Sequence, residues 1–218
     1  MTGPRIQLIH AVTVAQAPVH DAFRRLWPEA RAVDLADLSL APDVAATGLT
    51  DAFTERMAAL IGYGVATGAA AVLFTCSAFG AAIEKARQGV GIPVLKPDEA
   101  MIEEALALGP RIAALATFRP TIGSLEAEIK AAAKKRGLAP ALDLRHVPGA
   151  LDALNAGDGR RHDRLIAEAA AAIGNADVLL LAQFSMVRAK DAVAATAGGL
   201  PVLTAPDEAV RKLRILLG

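Results

Sequence analysis

Short apolar runs rich in Val, Ile and Leu alternate along this chain with longer segments in which alanine is interleaved with charges. Strands of a parallel sheet are covered on both faces and therefore read as continuous apolar runs. Their alternation with amphipathic segments marks βαβ units. The runs predict strands at 6–11, 30–34, 70–75, 94–95, 112–117, 142–146, 178–182 and 202–204. The amphipathic segments predict helices at 19–26, 50–67, 79–88, 97–108, 122–136, 162–173, 188–195 and 206–217. Within the second of these, Phe53, Met57 and Leu60 recur at helical spacing, with Glu55 and Arg56 on other faces.

The pattern repeats. Arg5-Ile6-Gln7-Leu8-Ile9 opens the first half and Arg111-Ile112-Ala113-Ala114-Leu115 opens the second. Val72-Leu73-Phe74-Thr75 leads into Cys76-Ser77-Ala78-Phe79, and Leu179-Leu180-Leu181-Ala182 leads into Gln183-Phe184-Ser185-Met186. Pro93-Val94-Leu95-Lys96-Pro97-Asp98-Glu99-Ala100 is echoed by Pro201-Val202-Leu203-Thr204-Ala205-Pro206-Asp207-Glu208-Ala209. The offset stays between 106 (111 − 5) and 109 (206 − 97), about half of the 218 residues. Ordered matches at a nearly constant offset indicate an internal duplication. The expected architecture is α/β, two similar lobes with parallel sheets and a ligand cleft lined by the C-terminal ends of strands. Pro97 and Pro206 each head an acidic first turn, which suits a helix N-terminus and reads as structural punctuation.

Composition narrows the function classes. The chain is 54% hydrophobic, enough for a large core, and its 23 basic residues balance 23 acidic ones. No basic field draws in nucleic acid or an anionic membrane, and aromatics for base stacking are few. No apolar stretch reaches the roughly 18–20 residues of a membrane span. One cysteine excludes an internal disulfide and fits a reducing cytoplasm, and the N-terminus carries no signal-peptide pattern. No phosphate-binding glycine motif and no cluster of metal-ligating residues is present.

The chemistry-bearing candidates lie at predicted strand ends. Cys76 stands between a strand and a helix, where the helix dipole is expected to lower its pKa; alternatively it is a buried small hydrophobe. Thr75 and Ser77 flank it with hydroxyls, and the amides of Ser77 and Ala78 suit a carboxylate or enolate oxygen. His10 ends the first strand and is a candidate acid/base or carboxylate ligand, or else a satisfied structural histidine. His20, His146 and His162 show no ligand spacing. Thr117, Thr121 and Ser124 open the helix after the fifth strand, as ligands or simply as caps.

These pieces, in this order, resemble the aspartate/glutamate/hydantoin racemase superfamily, which includes arylmalonate decarboxylases and maleate isomerases. The resemblance rests on Phe74-Thr75-Cys76-Ser77, Ala116-Thr117-Phe118-Arg119-Pro120-Thr121, Leu181-Ala182-Gln183-Phe184-Ser185-Met186 and Pro201-Val202-Leu203-Thr204-Ala205-Pro206. It implies two flavodoxin-like lobes, 1–96 with a returning helix 207–218, and 97–206. It also implies catalysis without a cofactor on a small carboxylate, and homodimers are a family-level expectation. In the family's racemases two cysteines act on opposite faces of the substrate. The first maps onto Cys76 and the second onto Gln183, a neutral amide that does not exchange protons in the required way. A shift of one or two residues would offer Phe184 or Ser185 instead. Thr117 and Thr121 match the family's carboxylate-binding hydroxyls. The acidic residue and serine of some amino-acid racemases are absent from Ile9-His10-Ala11-Val12-Thr13.

Three readings follow. One is a racemase or isomerase using Cys76 with His10 or Ser185. The second is a one-cysteine decarboxylase, although arylmalonate decarboxylase carries its cysteine in the second half. The third is a protein that binds a small acid without turnover.

Overall fold

A computed structural model describes residues 3–218. The chain divides into two units, one running to Ala100 and resuming at Ala209–Gly218, the other spanning Met101–Glu208. In the first, strands β1 (Arg5–His10), β2 (Arg31–Ala36), β3 (Ala71–Phe74) and β4 (Val94–Leu95) form a parallel sheet in the order β2-β1-β3-β4. Helices α1 (Gln16–Leu26), α2 (Leu40–Thr47), α3 (Asp51–Ala66) and α4 (Gly80–Ala86) connect them. Helix α5 (Glu99–Leu108) carries the chain into the second unit. There β5 (Arg111–Ala116), β6 (Ala141–His146), β7 (Val178–Leu181) and β8 (Val202–Thr204) repeat the order as β6-β5-β7-β8, again all parallel. Its helices are α6 (Pro120–Lys135), α7 (Ala150–Asn155), α8 (Gly159–Ala171) and α9 (Lys190–Thr196), and α10 (Ala205–Leu217) ends the chain.

The apolar runs explain the sheets. β3 and β7 are buried along their whole length, as central parallel strands must be. On one face of the first sheet, Ile9, Val72 and Phe74 pack with Phe53, Met57 and Ile61 of α3 and with Phe79 and Ile83. In the second, Leu115, Leu179 and Leu181 pack with Ile166, Met186 and Val193. Each such side chain contributes about 1.5–3 kcal/mol on burial. Gly64 lets α3 lie close to its sheet, since a Cβ there would stand 3.1 Å from Val72 Cγ2.

The proline-headed repeats do more than punctuate. Asp207 is fully buried and pairs with Lys190 Nζ at 2.6 Å, and Glu99 pairs with Arg87 at 2.6 Å and Lys212 at 3.3 Å. Lys190→Met, which removes a cation from a buried carboxylate, is expected to cost about 2 kcal/mol in urea unfolding, a partly exposed pair being worth less than a fully buried one. The predicted helices at 79–88 and 188–195 begin later, at Gly80 and Lys190, because 3-10 turns at Ser77–Phe79 and Phe184–Ala189 precede them. Helices α2 and α7 were not expected. Pro42 sits in the first turn of α2, and α7 starts from Gly149 at φ 75°, so both stretches read as loop in sequence.

Candidate active site

Hydrogen-bond register fixes which residues of the two halves are equivalent. Ile9 pairs with Phe74 and Leu115 with Leu181. Just beyond, the Thr75 N–H donates to Ile9 O at 3.1 Å and the Ala182 N–H to Leu115 O at 3.0 Å. Cys76 and Gln183 then each stand in extended conformation before a 3-10 turn. Position 76 therefore corresponds to 183, and Phe184 and Ser185 are not its equivalents. Ser185 is half-buried and its hydroxyl has no hydrogen-bond partner among the described residues.

Cys76 is half-buried and packs at the margin of the α3/α4 core. Burial pushes its thiol pKa up; the Ala78 backbone N–H on the sulfur opposes this, and the charge of Asp98 adds to it. This corrects the expectation of a dipole-lowered thiol. Cys76 is followed by a three-residue 3-10 turn rather than an α-helix, and the loss of hydration outweighs the one amide that favours thiolate. Alkylation of Cys76 by iodoacetamide is expected to follow a pH midpoint above that of a free thiol, and Asp98→Asn is expected to move the midpoint down. Ser77 is half-buried, with its hydroxyl unpartnered among the described residues, and Ala78 is exposed.

On the neighbouring strand His10 is fully buried, with Nδ1 2.9 Å from Thr75 Oγ1 and Nε2 3.0 Å from Asp34 Oδ1. His20 Nε2 reaches the same carboxylate at 2.8 Å. Burial lowers the His10 pKa despite Asp34, so the ring is neutral. Burial also works against the Asp34 charge, but hydrogen bonds from both imidazoles hold its carboxyl below the usual range. An ionised Asp34 requires His10 to carry its proton on Nε2, which leaves Nδ1 to accept the Thr75 hydroxyl proton. With both nitrogens engaged, His10 holds Thr75 in place and has no lone pair or proton left for a substrate. Its contribution to stability is complete above the ordinary value of 6.5 and is lost as pH falls below it, because the unfolded ring takes a proton that the native one resists. Stability of the wild type against urea is therefore expected to fall on the acid side of that value, less so in His10→Phe.

The second half is built differently at the same places. Thr75 corresponds to Ala182 and His10 to Ala116, so the hydroxyl–imidazole pair has no counterpart. Instead Gln183 Oε1 accepts from the Thr117 N–H at 2.6 Å, the Thr117 hydroxyl at 2.9 Å and the Phe118 N–H at 3.3 Å. Thr117 was expected to hold a carboxylate; in the structure its N–H and hydroxyl both donate to Gln183 Oε1. Only the Gln183 NH2 end remains to donate. His146 Nε2 lies 3.3 Å from Thr117 O. Thr121 does not cap α6, and its side chain has no partner among the described residues. Asp34, His20 and His146 were not expected here. Asp34 was legible as a charge within an otherwise apolar strand; His20 lies on a helix face, and only the fold brings it to Asp34.

Among the described residues no group of three or more His, Cys, Asp or Glu side chains is placed to hold a metal ion, and no helix is long and apolar enough to cross a membrane.

No curated protein matches the sequence. Solved structures do match in fold. Glutamate racemase RacE1 from Bacillus anthracis is 14% identical with a TM-score of 0.74, over 100% of this chain and 82% of that one. Allantoin racemase from Klebsiella pneumoniae is 19% identical with a TM-score of 0.71, over 98% and 87%. Picrophilus torridus aspartate racemase is 14% identical with a TM-score of 0.69, over 97% and 94%. At these identities the likeness is one of duplicated α/β architecture. The sequence model of the Asp/Glu/Hydantoin racemase family matches residues 14–213, nearly the whole chain, and the chain belongs to that family.

Proposed function

We propose that this chain is a cofactor-independent enzyme of the racemase and isomerase type, acting on a small carboxylate through an enolate, with Cys76 as its proton-transfer group. The observation that carries the reading is the placement of Cys76 at a strand C-terminal end, half-buried, with an N–H on its sulfur and a hydroxyl on either side. Burial keeps the group a thiol at neutral pH, and the matching thiolate is a stronger base than an ordinary one. Ser77 offers a hydroxyl with no partner among the described residues for the developing enolate oxygen, while Thr75 is fixed by His10.

Racemisation by two thiols needs an acid/base on each face of the α-carbon. At position 183 this family member has an amide whose oxygen is committed to Thr117. That observation favours a second reading, decarboxylation. There the bond between the α-carbon and a carboxyl group breaks, carbon dioxide leaves, and the electron pair stays on the α-carbon as an enediolate. The Cys76 thiol then delivers one proton and regains it from water. A single donor suffices, and a protonated thiol is the resting form it requires.

A panel of amino, hydroxy and malonic acids separates the two. Release of carbon dioxide from a substituted malonate, lost in Cys76→Ala, supports decarboxylation. Inversion or isomerisation without carbon dioxide supports the first reading. Neither activity on any member of the panel contradicts both.

A further inference from the structure

A cavity lies in the first unit, and Cys76 is not among the residues that line it. Between α1 and β2 is a cavity of about 540 Å³, within the roughly 300–1,000 Å³ of small-molecule sites. Its apolar lining includes Trp27, Pro28 and Val33, and its polar lining is His20 with the two guanidiniums of Arg24 and Arg31. No carboxylate lines it. Arg24 is paired with Asp21, which lies outside the lining. The Arg31 guanidinium has no ion pair among the described residues. Arg31 is in register with Arg5 on β1, whose Nε is buried without a partner among the described residues, but Arg5 does not line the cavity. An anion in the cavity would supply the counter-charge that the Arg31 guanidinium lacks among the described residues.

The cavity also has a path to the strand end. His20 lines it and donates to Asp34, which binds His10, which binds Thr75, the residue before Cys76. An anion that draws His20 away leaves Asp34 serving His10 alone.

We propose that the α1–β2 cavity is an effector site for a small organic acid, an anionic head on an apolar body, and that occupancy is communicated to Thr75 through His20, Asp34 and His10. The binding half of the proposal is independent of the reading of Cys76. The communication half rests on that reading for its functional meaning.

Trp27 is the one tryptophan of the chain and lines the cavity, so its fluorescence reports occupancy directly. The probes are cyclohexanecarboxylate, its neutral isostere cyclohexanemethanol, and acetate, which lacks the body. Saturable change with cyclohexanecarboxylate, and little with the other two, is expected in wild type. It is also expected in Cys76→Ala, so failure of the proposed chemistry leaves this arm standing. The double variant Arg24→Ala/Arg31→Ala is expected to bind about tenfold more weakly or worse. An equal response to the neutral alcohol, an undiminished response in the double variant, or no response to the acid overturns the site. In 15N-edited spectra the His10 Nε2 resonance is expected to move on saturation in wild type and to stay fixed in Asp34→Asn, which still shows the Trp27 response. An unmoved His10 in saturated wild type overturns the communication.

Discussion

Gln183→Leu is expected to destabilise the protein by about 2 kcal/mol, which in a chain of this size lowers Tm by roughly 4–8 °C. The volume is nearly kept, so the cost comes from hydrogen bonds. Thr117 is 3% exposed, and its N–H has Gln183 Oε1 as its acceptor at 2.6 Å. Without that oxygen a buried donor is left unsatisfied, which costs more than an average hydrogen bond returns. The Thr117 hydroxyl can rotate and the N–H of Phe118 can find water, which limits the loss. Gln183→Glu is the control. A carboxylate accepts from the same three donors, so its Tm is expected to stay within about 2 °C of wild type, with the new carboxyl held below its usual pKa. Thermal unfolding of both variants checks this. Equal destabilisation by Leu and Glu contradicts the assignment of Oε1 as a structural acceptor.

Cys76→Ser is expected to reduce turnover at least about 1,000-fold, with less than about 1 kcal/mol lost in stability. The side chain is half-buried at the edge of its core cluster, so exchanging sulfur for oxygen disturbs packing little. Chemically the change is large, because a serine hydroxyl is far less acidic than a thiol. The imidazole of His10, on the adjacent strand, is already bound to Thr75 and Asp34. Activity retained within a few-fold of wild type in Cys76→Ser would mean that position 76 only packs.

The duplication and both sheets were legible because parallel strands leave continuous apolar runs and the offset between halves is nearly constant. All eight strands fall within two residues of the runs that predict them. The chemistry was legible only in outline. Cys76 and its correspondence with Gln183 could be read from sequence, but the choice among Gln183, Phe184 and Ser185 needed the register of β5 with β7. The state of the thiol was misread, since a strand-to-helix position suggests a dipole and says nothing of burial. The Thr75–His10–Asp34 chain spans three strands far apart in sequence, so no local spacing announces it. The same holds for the hydrogen bond between Thr117 and Gln183.

The central claim is that Cys76 moves a proton to or from the α-carbon of a small carboxylate. Its most direct test is incorporation of deuterium from heavy water into that carbon, followed by mass spectrometry over the acid panel with wild type and Cys76→Ala. The expected result is incorporation by wild type into at least one acid or its decarboxylated product, and none above background with Cys76→Ala. Incorporation that persists in Cys76→Ala, or its absence from every acid with wild type, would contradict the claim.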